Sequence, residues 1–547
     1  MSEQLPLHCF AHWVATTPDR VWLRQPVERS WHPITWREAD DRARRLASAL
    51  RALGCEPGDR VAILAKNCAE WILSDMAIML AGLVSVPLYP LQSADSIDYV
   101  LRHSACKVII LGKLDNAESL EPGIPAEVVR IAMPYPTLRA DHAWGELLAC
   151  YAPLREGHEQ RPDDLLSILY TSGTTGQPKG VMQTARAFAF ASSRSVAETG
   201  LGQEDQFFSY LPLSHAAERF LVATNSLYCG GGIAFVESLE TFAEDLREIR
   251  PTQFFSVPRL WTRFQQGVLE KLPQRRLDRL LAIPLLGALV AWKIRRGLGL
   301  DRARVLVLVS GAAPIPVALL EWYQRIGLTI CEGYGMTENF AYGNFNRPGQ
   351  VRFGTVGRVM PDNELRIADD GEILYRSPSL MTGYYLEPEK SAETLRDGWL
   401  RTGDNGQIDA DGYLRITGRV KDIFKTSKGK YVAPAPIEGE IAKSLWVEQV
   451  CLMGSGLDQP LALVELSPAA HEQARAQVEA DLLATLAQLN DRLLPHERVS
   501  HLLLVREPWT VDNGCMTPTM KIRRNVLEAR YAPAVDRLDA RQALHWE

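Results

Sequence analysis

Short apolar runs alternate with amphipathic helical stretches through the first three-quarters of the chain, and that alternation leaves few folds open. In "TWREADDRARRLASALRALG", Ala39, Ala43, Leu46, Ala47 and Leu50 recur at helical spacing, and Gly54 is a good C-terminal stop. "RVAILA" (60–65) reads as a buried strand, residues 69–82 as a helix, and "VSVPLY" and "KVIIL" (107–111) as further strands. "LLSILY" (165–170), "QFFSV" (253–257) and "RVLVLVS" (304–310) continue the series. Strands that alternate with helices build mostly parallel sheets covered by helices, so an α/β fold is expected. After about residue 355 short strands ("ELRI", "GEILYRS", "GYLRITGR") fall between Gly/Asp turns, which predicts a β-rich subdomain. Beyond Arg419 a compact segment has helical patterns of its own, for example over residues 470–494. A boundary at 417–421 is expected, with a large domain over 1–417 and a small α+β domain over 418–547.

At 547 residues the chain exceeds one ordinary core, which agrees with more than one domain. With 46% hydrophobic and 23% charged residues it has no disordered or collagen-like character. A net charge of -6 gives no support to nucleic-acid binding. The nine cysteines are scattered with no C-x-x-C pair, so neither a zinc site nor a disulfide framework is indicated. The stretch MSEQLPLHCFAHW lacks the basic and apolar regions of a signal peptide, and no run has the 18 or more apolar residues of a spanning helix. A cytoplasmic location is expected. Residues 275–296, "RRLDRLLAIPLLGALVAWKIRR", carry an apolar centre broken by Pro284 and Gly287 and flanked by arginines and lysine. They read as one or two packed surface helices, with peripheral contact to a membrane face as the other reading.

The chemistry concentrates in "TSGTTGQPKG", which follows the strand pattern 165–170. Glycines let the backbone approach an anion, four Ser/Thr hydroxyls add donors, and Lys179 adds charge. The stretch fails the P-loop pattern because Pro178 precedes Lys179 where a glycine is required. A polyphosphate site is the reading favoured over a flexible linker.

Tyr170 to Gly180 resembles the signature loop of the acyl-adenylate-forming superfamily, which includes acyl-CoA synthetases, peptide-synthetase adenylation domains and beetle luciferases. Further stretches resemble its other motifs in order: "LPLSHAAER" (211–219), "SGAAP" (310–314), "EGYGMTE" (332–338), "GEILYRSPSLMTGYY" (371–385), "RTGD" (401–404), "GRVKDIFKTSKGKYVAP" (418–434) and "MTPTMKIRR" (516–524). The resemblance covers essentially the whole chain. It implies that ATP, Mg²⁺ and a carboxylic acid combine to an acyl-adenylate, and that the C-terminal domain is mobile. By resemblance Thr171, Ser172, Gly173, Thr174, Thr175, Gly176 and Lys179 hold the β- and γ-phosphates, and Thr174 and Glu338 hold the metal. Thr337 would donate to the α-phosphate. Gly311, Ala312, Ala313 and Glu332, Gly333, Tyr334, Gly335, Met336 would form the nucleotide cradle, with Tyr334 stacked on the base. Asp404 and Arg419 would hold the ribose. Lys521 resembles the lysine that bridges the substrate carboxylate and the α-phosphate, and is expected to be catalytic with Lys179, Thr337 and Glu338. Its Thr-Pro-Thr lead-in departs from the luciferase form and is similar to longer-chain synthetases. Lys421 matches the hinge, Lys425 and Gly429 the coenzyme A side, and His215 the gate of the acyl pocket.

The resemblance thus implies a fatty acid as the acid and coenzyme A as the acceptor. Two rivals are weighed. An acyl-AMP ligase loading a carrier-protein pantetheine would share the chemistry, although no carrier domain is fused to this chain. A non-catalytic acyl-nucleotide sensor conflicts with the intact Lys179, Glu338, Asp404 and Lys521.

Overall fold

The computed structural model describes residues 4–547 apart from 116, 136, 172–176, 302–306, 518–520 and 540. It divides into two compact units. The first comprises residues up to Thr171, Pro178–Glu364 and Tyr375–Leu400; the second comprises Gln177, Leu365–Leu374 and Arg401–Glu547.

The first unit contains two large sheets. In one, six strands run parallel in the spatial order Ile330–Tyr334, Val307–Ser310, Gln253–Ser256, Gln206–Ser209, Gly232–Phe235 and Val21–Val27. Antiparallel strands close both edges: Asn344–Phe345 and Arg358–Val359 beyond the first, Ser30–Thr35 beyond the last. In the other sheet, Leu165–Thr171, Val84–Leu88, Arg60–Leu64, Cys106–Leu111, Val129–Ala132 and His142–Ala143 are parallel. There the antiparallel edge is Lys179–Thr184 followed by Gly383–Tyr384. The α/β expectation is met, with antiparallel edges that helical and strand alternation does not show.

Local sequence explains the helices. Trp36–Ala52 starts in a capping box, where the Thr35 hydroxyl accepts from the Glu38 N–H and the Glu38 carboxylate accepts from the Thr35 N–H at 2.8 Å. It buries Ala39, Ala43, Leu46, Ala47 and Leu50, the predicted stripe, and Gly54 follows at φ +87°. Ala69–Leu80 is different: all twelve residues are buried, because it touches strands of both sheets. A helix apolar on every side belongs in such a place. Full burial of each large side chain there, such as Trp71 or Leu73, is worth about 1.5–3 kcal/mol.

In the second unit a four-stranded sheet pairs Val447–Met453 antiparallel with Leu461–Leu466, then Leu502–Val505 and Leu544–Trp546 in parallel. Helix Arg475–Asn490 buries Val478, Leu482, Leu486 and Leu489 in this unit's core, at the spacing of three and four that a helix requires. Among the described residues no helix is long and apolar enough to cross a membrane.

Candidate active site

Thr171 and Lys179 face each other across an antiparallel hairpin, with Tyr170 opposite Gly180. The signature loop therefore joins two strands, and the next helix begins only at Ala185. This is why a P-loop pattern is absent: no helix N-terminus follows the loop, so the phosphate donors must be its own backbone, hydroxyls and lysine. Ser172, Gly173, Thr174, Thr175 and Gly176 lie outside the described residues. Gly180 has no room for a side chain, since a Cβ there would meet Ile168 at 2.7 Å and the Tyr170 ring at 3.1 Å.

The strand carrying Lys179 is tied to the stretch "EGYGMTE". The Gln183 amide donates to the Thr337 carbonyl at 2.7 Å. Gly383–Tyr384 pairs with Val181 and Met182, and the Tyr384 hydroxyl donates to Glu338 Oε1 at 2.8 Å. Lys179 Nζ sits 5.0 Å from the centre of the Tyr384 ring. Burial and the neighbouring Glu338 charge raise the Tyr384 pKa, so its hydroxyl keeps the proton it donates. Tyr384 thus links the loop lysine to the acid 46 residues before it in sequence. The sequence reading quoted the stretch containing Tyr384 and gave it no role. Nothing local marks one tyrosine of "TGYY" as the inward one, and only pairing with Lys179–Thr184 does so.

At the carboxyl end of the other sheet, Ser310 stands opposite Glu332. Gly311 follows, and a Cβ on it would lie 3.3 Å from the Gly333 carbonyl. Ala312 takes φ +66° and is exposed with Ala313, so a flat group meets little side-chain obstruction there. Gly335 is required by contact: a Cβ would fall 2.5 Å from the Ala341 backbone. The Tyr334 ring lies 6.2 Å from that of Tyr375. Met336 N–H donates to Asn339 at 2.9 Å and so shapes the turn that carries Thr337 and Glu338. Burial pushes the Glu332 carboxyl up to about 8, offset only by one N–H from Ile315. Its Oε2 and the Ser310 hydroxyl are both buried without a hydrogen-bond partner. Two orphaned polar atoms side by side at the ends of parallel strands fit a polar ligand or water.

His215 caps the short helix Ala216–Glu218, its Nδ1 accepting from Ala217 N–H at 3.2 Å. The next two residues do more structural work than their exposed-looking charges suggest. Glu218 is fully buried and accepts from Ser209, and Arg219 pairs with Asp75 and donates to Ser167 at 2.8 Å. Arg219 thereby ties this turn to the strand that leads into the signature loop.

Asp404 and Arg419, both in the second unit, are opposed across a hairpin, and the Arg419 Nε lies 3.2 Å from Asp404 Oδ1. Gly403 takes φ +73°, and its N–H donates to Glu372 at 2.7 Å, which fixes the turn before Asp404. Lys421 is exposed on the single turn Val420–Asp422. Lys425 pairs opposite Tyr431, and Gly429 at φ +76° makes the hairpin turn between them. Lys521 closes a small loop: its N–H donates to the Thr517 hydroxyl at 3.1 Å, and its carbonyl accepts from Thr517 N–H at 2.8 Å. Arg524 is no part of a solvated basic face, because it donates to Glu438 at 2.7 Å and to the Leu452 carbonyl.

A magnesium ion shared with substrate phosphates needs one or two carboxylates. Glu338 fits that demand as a buried acid with one oxygen already oriented by Tyr384. Thr174, the other expected ligand, lies outside the described residues. Among the described residues no group of three or more His, Cys, Asp or Glu could form a protein cage.

This combination of sheets, hairpin loop and acidic turn defines a nucleotide-dependent acid-activating enzyme. Residues 10–385 match the family model described as AMP-binding enzyme, and residues 421–543 match the AMP-binding enzyme C-terminal domain. The chain belongs to the AMP-binding enzyme family. It is 31% identical to the long-chain-fatty-acid–CoA ligase FadD15 of Mycobacterium bovis, covering 95% of this chain and 94% of that protein. It is also 31% identical to fatty acyl-CoA synthetase A of Dictyostelium discoideum, covering 93% of this chain and 86% of that one. The solved anthranilate CoA ligase AuaEII in complex with anthranoyl-AMP shares the fold, with a TM-score of 0.80 at 23% identity over 97% of this chain and 98% of that one.

Proposed function

We propose that this chain joins a medium-to-long-chain fatty acid to coenzyme A, using ATP and releasing AMP and pyrophosphate. In the first step a carboxylate oxygen bonds to the α-phosphorus of ATP and the bond to pyrophosphate breaks. In the second, the thiol sulfur of coenzyme A bonds to the acyl carbon, its proton is lost, and AMP leaves. The relatives' names support the acid and the thiol. The observation that carries the site is the linkage Lys179–Tyr384–Glu338, which puts the loop cation and the turn acid on one wall.

Lys179 and residues 171–176 hold the β- and γ-phosphates in this reading, and Thr337 donates to the α-phosphate. Thr174 and Glu338 would hold the Mg²⁺, which supplies charge neutralisation on the phosphates. The ledge Gly311–Ala313 with Glu332–Met336 receives the nucleotide, Asp404 and Arg419 the ribose hydroxyls. Lys521 places a cation where negative charge builds between carboxylate and α-phosphate, which lowers the barrier. His215 gates the acyl pocket, and Lys425 and Gly429 face coenzyme A. The hinge lies near 419–421, between domains over 1–417 and 418–547. The lone turn Val420–Asp422 between two strands, and a C-terminal family model that begins at 421, support that place. The enzyme works in the cytoplasm, where its co-substrates are.

Pyrophosphate release over a panel of acids graded in chain length, with and without coenzyme A, tests the reading. AMP and pyrophosphate with medium-to-long acids, and thioester in step with coenzyme A, are expected. ADP and phosphate as products overturn it.

A further inference from the structure

The helices Gln274–Leu281 and Leu286–Gly297 are packed against the core of the first unit on one side only. Leu277 and Ala291 are buried there, with Leu281, Val290, Ile294 and Leu298 packed beside them. On Leu286–Gly297 these residues recur at spacings of three and four and define the inward face. The opposite face ought to be polar. It carries Leu289 and Trp292 instead, both exposed, and the connection before it exposes Ile283, Leu285 and Leu286. Five large apolar side chains are therefore open to solvent within ten residues of sequence. Scattered exposed apolar residues are ordinary on a soluble protein, but a contiguous set with a polar rim marks a contact surface.

The backbone reinforces this. Leu285 has φ +65° and ψ -49°, and Leu286 N–H donates to the Pro284 carbonyl at 2.7 Å, two residues back. This is a γ-turn of the strained hand, rare for any residue with a side chain. The result is a leucine 88% exposed at the tip of a helical hairpin. Neither local turn chemistry nor burial in the unit favours a leucine there.

The rim decides the occupant. Arg275, Arg276 and Arg279 on one helix and Lys293 and Arg296 on the other are exposed. The one acid within these two helices, Asp278, is already paired with Arg325. An apolar tip with a tryptophan, ringed by arginine and lysine, complements acyl chains beneath anionic headgroups. We propose that residues 275–296 dock this protein on an anionic lipid bilayer, with the Ile283–Leu286 tip and Leu289 and Trp292 entering the interface and the five basic side chains meeting headgroup phosphates. A fatty acid dissolves in that same phase, so docking on it brings the proposed ligase to its substrate. The docking itself stands apart from the ligase reading, since the test below needs no substrate.

The full chain is sedimented with phosphatidylcholine vesicles, with and without phosphatidylglycerol. Binding is expected only to the anionic vesicles and should weaken as salt is raised. Each basic residue near such a surface contributes about 1 kcal/mol, or roughly fivefold in partition coefficient, so the triple variant Arg275→Glu/Arg276→Glu/Arg279→Glu should no longer sediment. Leu285→Asp/Leu289→Asp should also lose binding while melting as the wild type does and keeping its rate on a short, water-soluble acid. Either variant binding like the wild type overturns the proposal. So does a wild type that ignores anionic vesicles and instead dimerises through a contact that Leu285→Asp abolishes.

Discussion

The two units hold their candidate site residues in opposite ways. In the first, Lys179 is on a strand, Glu338 is buried, and Tyr384 and Gln183 bind them to each other's neighbourhood. In the second, Lys421, Lys425 and Lys521 are exposed, on single turns or at hairpin ends. Only Asp404 and Arg419 have the strand-borne setting of the first unit. The difference teaches a division of labour: groups that bind a substrate throughout the reaction are placed by a rigid framework, and groups needed for one half-reaction are presented on short exposed turns.

The sharpest break of that comparison is Lys521→Ala. Removal of one donor aimed at transition-state charge costs about 2.7–4 kcal/mol, or roughly 10²–10³ in rate. The loop around Lys521 closes through its backbone and the Thr517 hydroxyl, so the variant should melt unchanged. Adenylation should collapse while ATP still binds. A variant slowed only in thioester formation from pre-made acyl-adenylate would put Lys521 in the other half-reaction.

Next in size is Lys421→Pro, which asks whether the exposed turn is a hinge. Proline holds φ near -65° and removes an N–H, so it blocks a turn that must change its dihedrals. Misplacement of a reacting group by about 1 Å can cost on the order of 10²-fold. Thioester formation should fall by about that much, and adenylation by far less. Equal slowing of both steps in a variant that still melts cooperatively refutes the hinge.

Tyr384→Phe tests the framework side. The ring beneath Lys179 survives and only the hydroxyl on Glu338 is lost, so the two contacts separate. Loss of a residue that orients a metal ligand typically costs about 10–100-fold in metal affinity or activity. The Mg²⁺ concentration for half-maximal pyrophosphate release should rise within that range. No change in the Mg²⁺ titration would show that Tyr384 serves packing alone.

How much of this was legible follows from the range of each interaction. The helix Trp36–Ala52 and the strands Arg60–Leu64 and Cys106–Leu111 were readable because periodicity, cap and stop are local. The composition of the loop marked an anion site for the same reason. The hairpin that carries the loop, the Tyr384–Glu338 bond and the Arg219–Asp75 pair were hidden, because each joins residues distant in sequence. Arg523 and Arg524 looked like one basic patch, yet Arg524 is held by Glu438, 86 residues away. The apolar segment 275–296 showed its composition in sequence, but only the fold shows which of its leucines face outward.

The smallest expected effect concerns Glu332, where framework burial works against charge. In the folded protein its carboxyl is pushed up to about 8, while the unfolded chain has the ordinary value of 4.5. Below the lower value both states are protonated and folding is indifferent to pH. As pH rises from there the unfolded carboxyl gives up its proton and the folded one retains it, so stability falls with pH. The loss is complete once pH passes the folded value, near 8. Glu332→Gln keeps the shape and has no proton to lose. Its melting temperature should lie close to that of the wild type at about pH 5, then exceed it by a margin that grows towards about pH 8 and levels off beyond. Comparison of the two proteins at each pH cancels other groups, including the buried Glu218, whose carboxyl burial also pushes up to about 8. A difference that stays constant across this range would mean that Glu332 is ionised in the folded state. The orphaned Oε2 beside Ser310 would then need a cation or donor from a bound molecule, and the framework side of the comparison would be less complete by itself than the strand-borne geometry suggests.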